Sequence, residues 1–223
     1  MIVDVETRYG VIAVTDQDTH QYDWFLRAGM GFDHSEIMLV RSLLAERPKG
    51  VVVDVGASFG SWSLALAPVA TGVLAFEPQS AIFDLLCRSI SLNQARTITA
   101  CRRAVGDEVG RATILKPDLD APANFGGVVS LCDVPTFVPT EEVAVTTLDR
   151  ECVGLEVSLI KVDVEGYEER VLRGAAETIA RCRPLLAVER IHEHTDTAAL
   201  ERQILEMGYA IVDQVLDFVC VPL

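Results

Sequence analysis

Three charged residues alternate with apolar ones at the start of IKVDVEGYEERVLRGA, residues 160–175. Lys161, Asp163 and Glu165 interleave with Ile160, Val162 and Val164, so a strand-like run carries charge where burial makes charge costly. Such charges persist only when paired or hydrogen-bonded, and the stretch therefore reads as a strand running out into a site, with Gly166 turning the chain into a helix. Lys161 reads as the ion-pair partner of Asp163 or Glu165, not as a catalytic group. Glu189 and His192 follow the next apolar run, Leu185–Val188. In an open α/β sheet, ligands bind beyond the carboxyl ends of neighbouring strands. Asp163, Glu165, Glu189 and His192 are therefore the candidate acid–base groups. Together they could hold a hydroxyl and draw its proton, and a general base contributes about 10²–10⁴-fold in rate. His192 has the ordinary pKa best suited to that task. Glu165 has a second reading, as an anion at the start of the following helix. Asp163, Glu165 and Glu189 also suit Mg²⁺ or Ca²⁺ as hard oxygen ligands. No dense Asp/Asn cluster follows them, so no metal ligand set is assigned and a divalent ion such as Mg²⁺ stays a secondary alternative.

A second constellation lies upstream. VVVDVGASFGSWSLALA, residues 51–67, has the order strand, glycine turn, helix. Gly56 and Gly60 flank a turn that lets backbone approach a ligand closely. Glu77 ends the next apolar run about 20 residues on, where an acid can accept hydrogen bonds from two ribose hydroxyls. The dinucleotide fingerprint GxGxxG is absent, because Ser58 stands at its middle glycine. Asp54, just before the loop, is placed to face a cation. An acid there suits the ammonium and sulfonium of S-adenosylmethionine and suits a pyrophosphate poorly.

These groups need a scaffold. From residue 51 onward short β-branched runs alternate with helix-period stripes, which implies a doubly wound, mostly parallel sheet with helices on both faces. The apolar strands fit burial on both sides. Residues 209–222 read as two strands around a turn at Asp213–Asp217, so they must pair antiparallel and give the sheet an antiparallel C-terminal edge strand. Val171, Leu172, Ala175, Ala176 and Ile179 form one helical stripe, and Ile98–Val105 a mixed strand. The expected organisation is one domain over 1–223. Residues 1–50 form an N-terminal strand and helix extension, and the Pro- and Gly-bearing segment 116–140 is a candidate lid or substrate loop. Asp33-His34-Ser35-Glu36 has the spacing of a capping box, so Glu36 reads as a capping residue. Trp62 reads as packing.

The chain has 223 residues, half of them hydrophobic, which suffices for a substantial core. A formal net charge of −14 argues against nucleic acid as a partner, since phosphate binding needs a basic face. No apolar run approaches the roughly 20 residues of a membrane span. Met1 is followed by an acidic, strand-like sequence without a secretory pattern, and the six scattered cysteines form no CxxC. The expected compartment is a reducing cytoplasm.

The sequence resembles FkbM-type methyltransferases, within the class I S-adenosylmethionine-dependent fold. The matching pieces are VVDVGASFGSWSLALA (52–67), AFEP (75–78), AVGD (104–107), TTLD (146–149), IKVDVEGYEERVLRGA (160–175) and RPLLAVERIH (183–192). The 160–175 block is the most specific, whereas the glycine loop alone would indicate only the class I fold. The resemblance implies a seven-stranded Rossmann-like sheet, S-adenosyl-L-methionine as cofactor, and methyl transfer to an oxygen of a small-molecule acceptor such as a sugar or polyketide. It implies cofactor contacts at Gly56, Ala57, Ser58, Phe59, Gly60, Glu77 and Pro78, extended to Ala104, Val105 and Asp163. Ser58 and Phe59 stand where family members often have Asn and Ile, and Glu193-His194 where a proline-linked segment often follows His192. Two other readings compete. A nicotinamide-dependent oxidoreductase would need a glycine pattern and a Tyr-x-x-x-Lys pair that the chain lacks. A non-catalytic binding module would have an eroded cofactor motif, whereas Asp54, Gly56, Gly60 and Glu77 are intact.

Overall fold

The computed structural model describes residues 1–125, 139–190 and 196–223. The N-terminal part forms a hairpin, β1 (Ile2–Thr7) and β2 (Gly10–Thr15), followed by helices α1 (Gln21–Ala28) and α2 (His34–Ala45). Then come β3 (Val51–Val55), α3 (Ser61–Leu66), β4 (Gly72–Phe76), α4 (Ser80–Leu92) and β5 (Ile98–Cys101). A side sheet of β6 (Ala104–Val105), β7 (Gly110–Leu115) and β8 (Thr140–Thr146) intervenes before α5 (Leu148–Glu151). The chain closes with β9 (Val157–Val162), α6 (Glu168–Arg173), α7 (Ala176–Cys182), β10 (Leu185–Glu189), α8 (Thr197–Glu206), β11 (Tyr209–Asp213) and β12 (Asp217–Pro222).

The main sheet has seven strands in the order β11-β12-β10-β9-β3-β4-β5. Strands β5, β4, β3, β9 and β10 are mutually parallel. The antiparallel strand is β12, which pairs with both β10 and β11. It therefore lies one place in from the edge, and β11, the edge itself, runs with the other strands. A turn of only three residues forces β11 and β12 into a hairpin, and the hairpin docks through its second strand.

Both faces of this sheet are covered, which is why its strands are β-branched runs. The alternation of side chains along each strand sorts the residues. Val53, Val55, Ile160, Val162, Leu186 and Val188 join the core beneath α6, α7 and α8. Val52, Leu159, Leu185, Ala187 and Val219 join the core that holds α2, α3, α4 and the β1–β2 hairpin. Each fully buried side chain of this kind contributes about 1.5–3 kcal/mol. Asp54 and Lys161 share the parity of the second set and are paired in register between β3 and β9. Glu189 and Asp217 are directly opposed between β10 and β12 on that same face. Lys161 thus faces the side covered by the N-terminal elements, and Asp163 and Glu165 follow the end of its strand.

Several expected elements divide. The 98–105 stretch splits after Cys101, with β5 in the main sheet and β6 in the side sheet. The stripe from Val171 to Ile179 breaks into α6 and α7 at Gly174-Ala175, where the Gly174 carbonyl accepts from Asp149 N–H at 2.9 Å and the Asp149 carboxylate accepts from the Glu177 and Thr178 N–H groups that open α7. The run expected as strand to Val164 ends at Val162. The start of the 116–140 segment is fastened to the N-terminal part: Thr19 N–H donates to the Ala123 carbonyl at 2.9 Å, and Phe125 N–H to Asp18 Oδ2 at 3.2 Å. Residues 126–138, the rest of the candidate lid, lie outside the described residues.

Candidate functional site

A cavity of about 800 Å³ opens over the carboxyl ends of β3, β4, β9 and β10. Its floor is Gly56, Ala57, Ser58 and Trp62 from the loop and helix after β3, with Glu77, Pro78 and Gln79 after β4. Lys161, Asp163, Val164, Glu165, Glu189 and Asp217 form one wall. His20, Gln21, Phe32, Asp33 and Glu36 close it from the N-terminal elements, and Asn124 and Phe125 from the start of the 116–140 segment.

The glycine loop is fixed by contacts that other residues could not make. Gly56 has φ +82°, and a Cβ on it would lie 1.8 Å from the Asp163 carbonyl oxygen. The N–H groups of Gly56 and Ala57 both donate to the Phe76 carbonyl at 2.9 Å. Ser58 adopts φ +48°, and its N–H donates to Glu77 Oε2 at 3.1 Å. The amides of all three residues are therefore committed within the loop, so it is not a phosphate cradle of the kind a dinucleotide uses. Glu77 Oε1 accepts from Gln79 N–H at 2.9 Å. Burial raises the Glu77 carboxyl to about 7 against the pull of these two donors. Ser58 Oγ and Gln79 Nε2 are buried beside it without a partner among the described residues. Carboxylate, hydroxyl and amide in that grouping fit the hydroxyl-rich ribose of an adenosine ligand.

The remaining residues expected at the cofactor divide by position. Pro78 and Asp163 line the main cavity. Ala104 and Val105 line a neighbouring cleft of about 20 Å³, together with Gly56, Pro78 and Val164. Phe59 is buried in the core, and Gly60, at φ +97°, precedes α3 with its Cα against Leu86. Asp54 is fully buried and does not line the cavity. Its Oδ2 accepts from Ser63 Oγ at 2.6 Å, and Lys161 stands opposite it in register. The cation that Asp54 faces is thus the chain's own lysine.

Lys161 organises the acid end. Its Nζ lies 2.6 Å from Asp163 Oδ2 and 5.4 Å from the Trp62 ring centroid. Burial disfavours the ammonium, but the carboxylates of Asp163, Asp54 and Asp217 together hold its pKa above the ordinary value. Asp163, Glu165 and Glu189 each bring an oxygen within 4.8 Å of the others. Glu165 is in a left-handed conformation, φ +58°, beside Gly166 at φ +97°. That turn is braced by Glu168, whose Oε1 accepts from Val164 N–H at 3.2 Å and Gly166 N–H at 3.0 Å. Glu165 lines the cavity, and α6 has no side-chain cap at its first residue's N-terminal neighbour, Tyr167. Burial and the charge of Asp163 raise the Glu165 carboxyl to about 8 and the Glu189 carboxyl to about 11. His192 lies outside the described residues.

Residues 33 and 36 depart from the capping-box expectation. Asp33 makes no side-chain cap; its Oδ2 accepts from Trp62 Nε1–H at 2.5 Å. Glu36 Oε1 accepts from the N–H groups of Leu216 and Asp217, both at 2.9 Å. Trp62, expected as packing, is 3% exposed and also lines the cavity. Gln21, Asp33, Glu36 and Asp217 carried no local signal of a site, because elements far apart in sequence bring them to one cavity; the amides that Glu36 binds lie about 180 residues away.

The sheet order and the cavity over its carboxyl ends define a class I, Rossmann-like methyltransferase fold. The methyltransferase FkbM from Methylobacillus flagellatus KT superposes with a TM-score of 0.53 at 24% identity, covering 77% of this chain and 42% of that one. A precorrin 8w decarboxylase from Methanobacterium thermoautotrophicum gives 0.51 at 13% identity, covering 88% and 81%. An rRNA methylase from Streptococcus thermophilus gives 0.51 at 16%, covering 82% and 93%. At these identities the likeness is one of fold, and the chain spans under half the length of the Methylobacillus protein. No curated protein sequence matches it. The family described as "Methyltransferase FkbM domain" matches residues 54–211, more than half of the chain. The protein belongs to this family of S-adenosylmethionine-dependent methyltransferases. Among the described residues no helix is long and apolar enough to cross a membrane.

Proposed function

We propose that the chain, as a single domain, transfers a methyl group from S-adenosylmethionine to a hydroxyl oxygen of a small molecule such as a sugar or polyketide. The observation that carries this reading is one cavity lined by two groups of residues. The committed loop, Glu77 and the unpartnered Ser58 and Gln79 atoms form one group, and three converging carboxylates the other. When bound, S-adenosylmethionine supplies an electrophilic methyl group on a sulfonium. Glu77 would accept the ribose hydroxyls, and the glycine loop would bring backbone against the methionine part. Glu165 would accept the acceptor's proton, because a carboxyl at about 8 is matched to neutral pH. Glu189, which holds its proton to higher pH, would donate a hydrogen bond that orients the acceptor oxygen. Positioning of this kind supplies up to about 7–11 kcal/mol of barrier reduction.

Asp163, Glu165 and Glu189 would also hold a divalent ion, and that is a second reading with the same residues. Lys161 already neutralises Asp163 at 2.6 Å and favours the metal-free assignment. The test is Glu165→Gln assayed with and without a chelator. A rate loss of about 10²–10⁴-fold at unchanged S-adenosylhomocysteine affinity is expected, with no loss on chelation of the wild type. Loss of cofactor affinity in Glu165→Gln would make the residue structural, and loss of activity on chelation would favour the metal.

A further inference from the structure

The N-terminal wall of the cavity presents acceptors that no described residue satisfies. Asp33 Oδ1 and Glu36 Oε2 are buried without a partner among the described residues, in side chains of residues 7% and 3% exposed. Gln21 Oε1 is likewise unpartnered. Each group is held in place. Trp62 Nε1–H pins the other oxygen of Asp33, and the N–H groups of Leu216 and Asp217 pin the other oxygen of Glu36. Gln21 opens α1, whose start is capped by the buried Asp18 carboxylate through the N–H groups of His20, Gln21 and Tyr22. Asp33 Oδ1 and Gln21 Oε1 converge beside Gly31, where a Cβ would lie 2.3 Å from the first and 3.5 Å from the second. Asp33 and Glu36 are one helical turn apart and so share a face. Asp217 adds a third buried carboxylate to this wall.

Oriented oxygens left without donors in a desolvated wall call for a ligand that donates. A hydroxyl offers one donor and no charge, and an anion would be repelled. A primary ammonium offers three donors and a positive charge. Lys161 is bonded to Asp163 instead. We propose that Gln21, Asp33 and Glu36 form a subsite for a primary ammonium group on the methyl acceptor, so that the substrate is an amino-bearing hydroxyl compound. The inference rests on the methyltransferase reading above. It concerns residues that precede the family match, which begins at residue 54.

The probe is 3-aminopropan-1-ol, with 1,3-propanediol as its uncharged counterpart, titrated into protein loaded with S-adenosylhomocysteine and followed by ligand-observed NMR. The amino alcohol is expected to bind at least about tenfold more tightly than the diol, and Glu36→Gln or Asp33→Asn to bring it to the level of the diol. Gln at position 36 retains an oxygen for the Leu216 and Asp217 amides, and an unchanged melting temperature would show that the variant folds. Equal binding of the two probes, or a preference that survives both substitutions, overturns the proposal. If Glu36→Gln weakens S-adenosylhomocysteine but leaves methylthioadenosine, which lacks the amino-acid part, unchanged, the subsite reads the cofactor's ammonium and the proposal is overturned. If wild type binds no S-adenosylhomocysteine, the methyltransferase reading falls, and comparing the two probes on the unloaded protein still decides the subsite.

Discussion

Replacing Lys161 by Met tests whether one cation holds the acidic face of the sheet together. Lys161 is 2% exposed, bonded to Asp163 at 2.6 Å, and opposed in register to the fully buried Asp54. Met keeps the length of the side chain and removes the charge. Breaking a buried pair by deleting one partner costs about 3–5 kcal/mol. Asp163 is a third exposed in its side chain, which puts the expected loss near the lower end, about 3 kcal/mol. For a chain of this size that corresponds to a fall in melting temperature of roughly 6–12 °C. The loss should depend on pH with a definite sign. Burial raises the carboxyls of Asp54 and Asp217 while the Lys161 charge pulls them down, so without the lysine they hold protons more firmly in the folded state, protons that the unfolded chain has released. Stability of the variant then falls as pH rises, so the gap to wild type widens from pH 5 to pH 8. Urea denaturation at both pH values measures it. A loss below about 1 kcal/mol, or one equal at the two pH values, would refute the reasoning. Adding Asp54→Asn should recover part of the loss, a non-additivity of about 0.5–3 kcal/mol.

Two further substitutions bear on the cofactor end. Gly56→Ala places a Cβ 1.8 Å from the Asp163 carbonyl oxygen at φ +82°, and a loss of more than about 1 kcal/mol, with weakened S-adenosylhomocysteine binding, is expected in denaturation and calorimetry. Glu77→Gln removes a charged acceptor worth about 1.5–3 kcal/mol, so S-adenosylhomocysteine affinity should fall roughly 10–150-fold by calorimetric titration. The Glu77 carboxyl is raised to about 7, so its stabilising contribution is fully present below its unfolded value and is lost as pH rises through 7. The unliganded Glu77→Gln variant should lack that decline, a difference of roughly 3 kcal/mol between pH 4 and pH 8 in urea denaturation.

The strands that carry the site were legible because the sheet is buried on both faces. Val51–Val55, Leu185–Val188 and the first half of 160–175 show it directly as apolar runs with an acid within them or just after them. The side sheet was not legible. Gly110–Leu115 and Thr140–Thr146 are half-exposed strands that pair with each other across a long intervening segment. The α6–α7 break was hidden because the apolar period continues through it, while the partner at the break, Asp149, comes from another element. The same distance effect misled at Asp33 and Glu36. Their local spacing is that of a cap, but the indole of Trp62 and the amides before β12 offer better donors than the helix start. Of the residues singled out from sequence, Asp163, Glu165 and Glu189 come together in one cavity, whereas Asp54 turns under the loop to Ser63 and Lys161.

The central claim is that the loop at Gly56–Gly60 and the acid at Glu77 receive the adenosine of S-adenosylmethionine and not a dinucleotide. Calorimetric titration of the wild-type chain with S-adenosylhomocysteine and, separately, with NAD⁺ tests it most directly. At 100 times its dissociation constant S-adenosylhomocysteine should stabilise the fold by about 2.7 kcal/mol, while NAD⁺ gives neither heat nor stabilisation. Binding of NAD⁺ without binding of S-adenosylhomocysteine would contradict the account.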